Sequence, residues 1–248
     1  MIKDVIKKLL RKFNFELRKI RRENISCPSR DEVARWYING SGIEIGSLFQ
    51  PLAVPSTARV LYVDRFPIEK LKKIYYHVKW LIERVDIVDN GETLKTIKNN
   101  SQDFVIANHF LEHCENPIGA ILNMFRVLKK EGILFICVPD KRTSAYDGKR
   151  SLTSFDHLWK DYLEGPQISK AAHIHEWMDC NEFEIALDAE TKKQHGQHYL
   201  NESGEIHYHV WTQENMMEFL LKLKALVSFQ IEFFLQRGEE INFVLKKF

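Results

Sequence analysis

The chain has 248 residues, 44% of them apolar and 12% aromatic, enough for one large α/β domain with an insertion and a full core. A formal net charge of +2 argues against a general nucleic-acid binder. Four scattered cysteines without a C-x-x-C pair point to a reduced, cytosolic protein, no apolar run is long enough to span a membrane, and the N-terminus lacks the apolar core of a signal peptide.

Residues 1–23 stand apart. Ile2, Ile6, Leu9, Leu10, Phe13, Leu17 and Ile20 recur at helical spacing, and nine Lys or Arg against three acids give the segment +6. Such a basic amphipathic helix either lies on an anionic membrane surface or packs on its own domain with a solvated basic face. Residues 24–248 form the main domain. Ser29 with Glu32 makes a capping box for a helix over Arg30–Tyr37. A short apolar strand, Ile43–Ile45, runs into Gly46, and a second, Arg59–Val63, ends on Asp64. A helix is expected from Pro67 to about Trp80, a third strand over Val85–Val88, and a short helix over Glu92–Ile97.

A fourth strand, Asp103–Ala107, ends on Asn108-His109. Asn116 caps and Pro117 starts a helix through Leu128, which Gly132 stops. A fifth strand, Ile133–Val138, runs into Pro139-Asp140. The alternation of strand and helix predicts a parallel sheet. Residues 141–210 break it: polar, aromatic and histidine-rich, they read as an insertion. Thr212 then caps a helix over Gln213–Ala225, and Val227–Leu235 and Ile241–Lys246 close the chain as an antiparallel hairpin around Gly238.

In an open α/β sheet a ligand sits at the carboxyl ends of the strands, where strand order reverses. Gly46 lets a ligand approach the backbone, and Asp64 can accept hydrogen bonds from ribose hydroxyls. A dinucleotide would need further glycines to cradle its pyrophosphate, and Ser47-Leu48-Phe49-Gln50-Pro51 supplies none. S-adenosylmethionine has a ribose and no phosphate, so one glycine with a nearby acid, Glu44, could suffice, although a glycine ending one buried strand and an aspartate ending the next also recur without any ligand.

Several of these segments together resemble a class I S-adenosylmethionine-dependent methyltransferase. Gly42-Ile43-Glu44-Ile45-Gly46 resembles the family's first motif and Tyr62-Val63-Asp64-Arg65 its ribose-binding acid. Ile87-Val88-Asp89-Asn90 falls where the family contacts adenine. Ser101 to His113, ending Leu111-Glu112-His113, resembles the fourth strand and its tail, and Arg126 to Gly132 resembles the lead into the fifth. The likeness covers about residues 40–140 and the terminal helix and hairpin. It implies a Rossmann-like, mostly parallel seven-stranded sheet with a C-terminal antiparallel hairpin. It also implies cofactor contacts from Glu44, Gly46, Asp64, Arg65, Asp89, Asn90, Asn108 and His109. The sequence departs from the pattern in its single loop glycine and in the insertion, where Val138 to Arg142 and His207 to Trp211 look like a bacterial subgroup linked to surface-polysaccharide assembly.

The activity this implies is methyl transfer to a hydroxyl or amine of a glycan or glycan precursor, nucleotide- or lipid-linked, by a cytoplasmic enzyme peripheral to the inner membrane face. A hydroxyl acceptor needs a base, and histidine is the usual one near neutral pH. His109 follows the fourth strand at the cofactor edge, with His113 one turn later; Asp140 ends the fifth strand, and His173 lies in the insertion. His109, Asp140 and His173 are the expected catalytic residues. Lys141 and Arg142 are candidates for an acceptor phosphate, and His157, His175, His207 and His209 for the acceptor itself. His173/His175 and His207/His209 have the i, i+2 spacing that puts a pair on one face of a strand. Such pairs can bind a metal, contact a polar substrate or be ordinary surface histidines; no residue is assigned to a metal. Trp159, Trp177 and Trp211 could stack on sugar faces or pack in the core. The insertion is expected to lie over the cofactor pocket. The competing readings are a catalytically inactive scaffold, suggested by the thinned glycine loop, and a nicotinamide-dependent sugar-modifying enzyme.

Overall fold

The computed structural model describes residues 27–144, 146–201 and 206–248, the side chains of residues 182 and 183 apart. The expected helix at 1–23 lies outside them. Seven strands form one sheet: β1 (Gly40–Ile45), β2 (Ala58–Asp64), β3 (Ile87–Val88), β4 (Gln102–Asn108), β5 (Leu128–Pro139), β6 (Phe229–Arg237) and β7 (Glu240–Lys247). Their order is β3-β2-β1-β4-β5-β7-β6. The first five run parallel, β7 lies antiparallel to β5, and β6 antiparallel to β7. Strand order reverses between β1 and β4, so the crevice of the sheet opens at the carboxyl ends of those two strands.

The sheet is covered on both faces, which explains its continuous apolar runs. In β4, Val105 and Ala107 join the larger core with Ile43, Ile45 and Ile136, while Phe104 and Ile106 join the opposite core with Val33, Ile38 and Phe135. Helix α1 (Arg30–Tyr37) supplies the second core and begins at its capping box: Glu32 N donates to Ser29 Oγ, and Ser29 N to Glu32 Oε2. Helix α2 spans Ile68–Ile74, shorter than expected, and a single 3-10 turn follows at Lys79–Leu81. Helix α3 (Pro117–Val127) starts on Asn116, whose Oδ1 accepts from Gly119 N.

Residues 92–97 form a chain of turns rather than the expected short helix. Leu94 has φ +46°, and Arg126 of α3 donates to the carbonyls of Thr93, Leu94 and Ile97. Carbonyls held by a guanidinium are not available to a helix. After α3, β5 begins at Leu128, so Gly132 lies inside an extended segment and does not stop the helix.

The insertion is helical: α4 (Phe155–Glu164), α5 (Gln167–Cys180), α6 (Glu182–Ile185) and α7 (Ala189–Asn201). A return segment, 206–211, brings the chain back beside the sheet: Tyr208 N donates to Glu112 O, Lys141 N to Trp211 O, and Asp140 bridges Trp211. Ile174, Trp177, Ile206 and Tyr208 form a small core of its own there. Helix α8 (Gln213–Leu223), capped by Thr212, leads to the hairpin. No helix among the described residues is long and apolar enough to cross a membrane.

Candidate active site

A cleft of about 700 Å³ opens at the switch point. Gly46, Leu48 and Phe49 line it from the β1 exit, Asp64 and Arg65 from β2, Asn90, Gly91 and Glu92 from β3, and His109, Phe110 and His113 from β4. Leu71, Ile74 and Tyr75 of the α2 region form an apolar side, and Tyr146 comes from the insertion. The backbone bends sharply here. Gly46 has φ +65°, and a Cβ built on it would meet only Phe110 Cδ2, at 3.7 Å, so the space beside it stays open. Leu48 (φ 49°) and His109 (φ 48°) hold left-handed conformations that side chains disfavour, a strain common at ligand sites.

Asp64 is half-buried, and burial raises its carboxyl, partly offset by the Phe66 amide donating to Oδ1 at 3.3 Å. Asn108 ends β4 with both amide atoms buried and without a hydrogen-bond partner. Asn108, expected at the cofactor, does not itself line the cleft, but an orphaned carboxamide at this strand end is what a polar ligand there would satisfy. A strand-end acid, an open glycine and an apolar side match the ribose and adenine of S-adenosylmethionine, and the volume is of the right size.

His109 is not placed to act as a base. Its Nε2 lies 2.9 Å from Glu240 Oε1 and its Nδ1 3.4 Å from Glu112 Oε1. Burial opposes charge on the ring, but Cys137, Glu112 and Glu240 outweigh it and push the imidazolium up to about 12. A ring that holds its proton at neutral pH cannot take another. His113 behaves oppositely: burial, with the neighbouring His207, brings it down to about 4. Its Nδ1 donates to the Ile206 carbonyl at 2.9 Å, which leaves Nε2 as the lone-pair nitrogen.

His113 stacks edge-on against His207 of the return segment, ring centroids 4.8 Å apart. His207 Nδ1 donates to Asp147 Oδ2 at 2.8 Å, and its ring also packs against Tyr146 and Trp177. Buried Arg150 fixes this group, donating to Asp147 Oδ1, to Glu176 and to the carbonyls of His207 and Tyr208. Asp147 and Arg150 were not legible in the sequence; nothing in their spacing marks them among the other charges of the insertion.

Other expected site residues lie elsewhere. Glu44 points to the opposite face of β1 from Ile43 and Ile45, is 1% exposed, and accepts from Leu52 N. It shapes the β1 exit from behind, and burial, only partly offset by Leu52, raises its carboxyl to about 7. Asp89 closes its own turn, accepting from Asn90 N, Thr96 N and Thr96 Oγ1, and only its neighbour Asn90 reaches the cleft. Asp140 is fully buried and bound by Arg142 Nε and Nη2, which holds its carboxyl below the usual range against burial. Lys141 and Arg142 line a separate, more open depression with Arg150 and Thr212.

The histidine pairs do not act as pairs. His173 and His175 lie on α5, where residues two apart point about 200° apart. His175 is exposed, whereas His173 turns inward to His157 and His209. His207 and His209 flank Tyr208 in an irregular segment: His207 goes to Asp147 and fully buried His209 to His173. His157, His173 and His209 therefore do not line the cleft. Trp211 is core, packed on Phe219, and Trp159 packs against the same core.

Residues 40–136 match a family model described as a methyltransferase domain. None of the curated proteins matches the chain in sequence. Among solved structures, a SAM-dependent methyltransferase from Aquifex aeolicus is similar over 98% of both chains, at 9% identity and a TM-score of 0.49. One from Methanosarcina mazei is similar over 84% of this chain and 92% of its own, at 16% identity and a TM-score of 0.47. A Rhodobacter sphaeroides protein whose name assigns it to the Zn-dependent alcohol dehydrogenases covers 89% of this chain and 90% of its own, at 14% identity and a TM-score of 0.50. At such identities the likeness is one of fold alone. The domain match begins at β1, spans the strands that build the cleft and ends within β5. Residues 40–136 thus carry a methyltransferase domain on a Rossmann-like fold, and S-adenosylmethionine is its cofactor.

Proposed function

We propose that the methyl group goes to a hydroxyl, or an amine, of a glycan or glycan precursor, and that His207 is the base. The observation that carries this reading is the His207–Asp147 pair behind His113 and Tyr146, the two residues of that group that line the cleft. Bound S-adenosylmethionine supplies a methyl group already activated on a sulfonium. The chain then has to align an acceptor and accept its proton. Asp147 takes the Nδ1 proton of His207 as an acceptor, so Nε2 carries the lone pair, in the manner of a carboxylate that orients a catalytic imidazole. His113 Nε2 offers a second acceptor for a hydroxyl proton beside it. Tyr146, which lines the cleft and stacks on buried Trp177 with centroids 6.3 Å apart, gives the wall an aromatic face that suits a sugar ring. Lys141 and Arg142, in their own depression, would take the phosphate of a nucleotide- or lipid-linked acceptor. We place the enzyme in the cytoplasm, with residues 1–23 as its contact with the inner membrane face.

The test is a screen of sugar acceptors with cofactor labelled on the methyl group. Label is expected in a sugar, and His207→Gln is expected to lower kcat about 10²-fold or more while leaving cofactor affinity unchanged. Transfer confined to acceptors without a sugar overturns the glycan reading, and full turnover in the variant removes His207 as base.

A further inference from the structure

Behind the acceptor wall lies a second cluster that the methyl transfer does not use. His157 of α4, His173 of α5 and His209 of the return segment bring one ring nitrogen each to within 4.8 Å of one another. His157 Nε2 and His173 Nε2 are 2.9 Å apart. Asp161, one turn after His157 on α4, places Oδ2 at 3.1 Å from His157 Nε2 and 3.9 Å from His173 Nε2. Asp161 is 2% exposed and His209 fully buried. Asp161 Oδ2 and both nitrogens of His209 lack a hydrogen-bond partner of good geometry.

Packing brings these groups together but leaves Asp161 Oδ2 and both His209 nitrogens without a well-formed hydrogen bond. Buried ring nitrogens and a buried carboxylate oxygen without a well-formed hydrogen bond each cost stability. A cation among the three ring nitrogens, with Asp161 Oδ2 on the side of His157 and His173, would satisfy them together. Three imidazoles and one carboxylate are a donor set for a divalent transition metal, and in a tetrahedral zinc site neighbouring ligand atoms are ~3.3 Å apart, given metal–ligand distances near 2.0–2.1 Å. The distances here bracket that edge, and His157 and Asp161 present their donors from one face of α4 at i, i+4.

We propose that His157, Asp161, His173 and His209 bind one Zn²⁺ ion in a closed structural site. Four protein ligands leave no open position for a reacting group, so the ion staples rather than catalyses. It joins the consecutive helices α4 and α5 to the return segment, which follows α7 in sequence. His209 is two residues from His207, and the Tyr208 and His209 amides both donate to Glu112 O at the β4 exit. The staple therefore holds the acceptor wall against the cofactor half of the site, and its existence does not depend on which acceptor is methylated.

The test uses the full-length chain without a histidine tag. Metal content after purification, then removal by chelator and refilling with Co²⁺, are the readouts. One equivalent of zinc is expected, with the strong visible absorption of four-coordinate Co²⁺ on refilling and a higher Tm in the refilled protein than in the stripped one. His157→Asn and His173→Asn should each lose the metal, while His198→Ala, on α7, retains it. His209→Asn removes a fully buried ring and can fail to fold; partly exposed His157 keeps the proposal testable, with far-ultraviolet circular dichroism confirming a folded variant. Wild-type protein that neither retains zinc nor gains Tm with added Zn²⁺ overturns the site. So does one equivalent of metal that persists in both the His157 and the His173 variant, because it then sits elsewhere.

Discussion

His109 at the end of β4 and Glu240 at the start of β7 are joined through Nε2 and Oε1 at 2.9 Å. The contact ties the cofactor edge of the parallel sheet to the antiparallel hairpin, 131 residues away in sequence. Glu240 also accepts from Arg30 Nη1 at 3.0 Å, so α1 is anchored to the same carboxylate.

This pair sets a pH dependence. The folded His109 is pushed up to about 12 from an unfolded value near 6.5. Its stabilising contribution is fully present below about pH 6.5 and is lost as pH rises toward the folded value. Glu240→Gln is expected to flatten the decline of unfolding free energy between pH 7 and 10, measured by urea denaturation at several pH values. The same substitution should bring the His109 ring into titration below pH 9 by NMR. A ring that stays protonated in the variant would show that Glu112 and Cys137 suffice.

Glu44 gives a second dependence, of the same sign for a different reason. Burial raises its carboxyl to about 7, so ionising it above that pH is costly in the folded chain and free in the unfolded one. Glu44→Gln keeps an oxygen for the Leu52 amide and cannot ionise. Its Tm is expected to exceed that of the wild type at pH 8.5, by a stabilisation of about 1–3 kcal/mol, with the difference vanishing near pH 4.5.

Asp64 should matter for the cofactor and little for the fold. Removing a charged hydrogen-bond acceptor of the ribose diol costs roughly 1.5–3 kcal/mol, so Asp64→Ala is expected to weaken S-adenosylmethionine binding about 10- to 100-fold in titration calorimetry. Unchanged affinity in a folded variant would take Asp64 out of the site.

Gly46→Ala separates backbone strain from cofactor approach. With φ +65° the alanine costs about 1–2 kcal/mol in stability, and its methyl group meets nothing closer than Phe110 Cδ2 at 3.7 Å. The variant should fold with a modestly lower Tm. Its loss of cofactor affinity should exceed its loss of stability, because the methyl group occupies the open space beside β1.

Residues 1–23 can be tested by removal. A chain lacking them is expected to keep its cofactor affinity and to lose binding to anionic vesicles, which in the full chain should weaken with added salt. Loss of cofactor affinity on removal would count against a role confined to the membrane surface.

The parts legible in the sequence are those with local causes. Apolar runs bounded by Gly46, Asp64, Asn108 and Asp140 mark the strands of a sheet buried on both faces, because a fully covered strand needs nothing from distant residues to show its character. The caps at Ser29, Asn116 and Thr212 are likewise local, each a side chain bonding an amide within three residues. Gly46, Asp64, Asn90 and His109 come to one cleft because residues that follow parallel strands share an edge.

What only the tertiary structure decided is protonation and partnership. Whether Glu44 faces the ligand or the core depends on which face of β1 each α-helix covers. His109 is an acid rather than a base because Glu112 and Glu240 converge on it, and Glu240 comes from the far end of the chain. In the insertion the i, i+2 spacing of histidines suggests strands, but the segments are a helix and an irregular return, so His207 and His209 divide between two clusters and His175 faces solvent while His173 turns inward. Charge, burial and metal affinity belong to neighbourhoods in space. The chain order of His157, Asp161, His173 and His209 carries no mark of the centre they share.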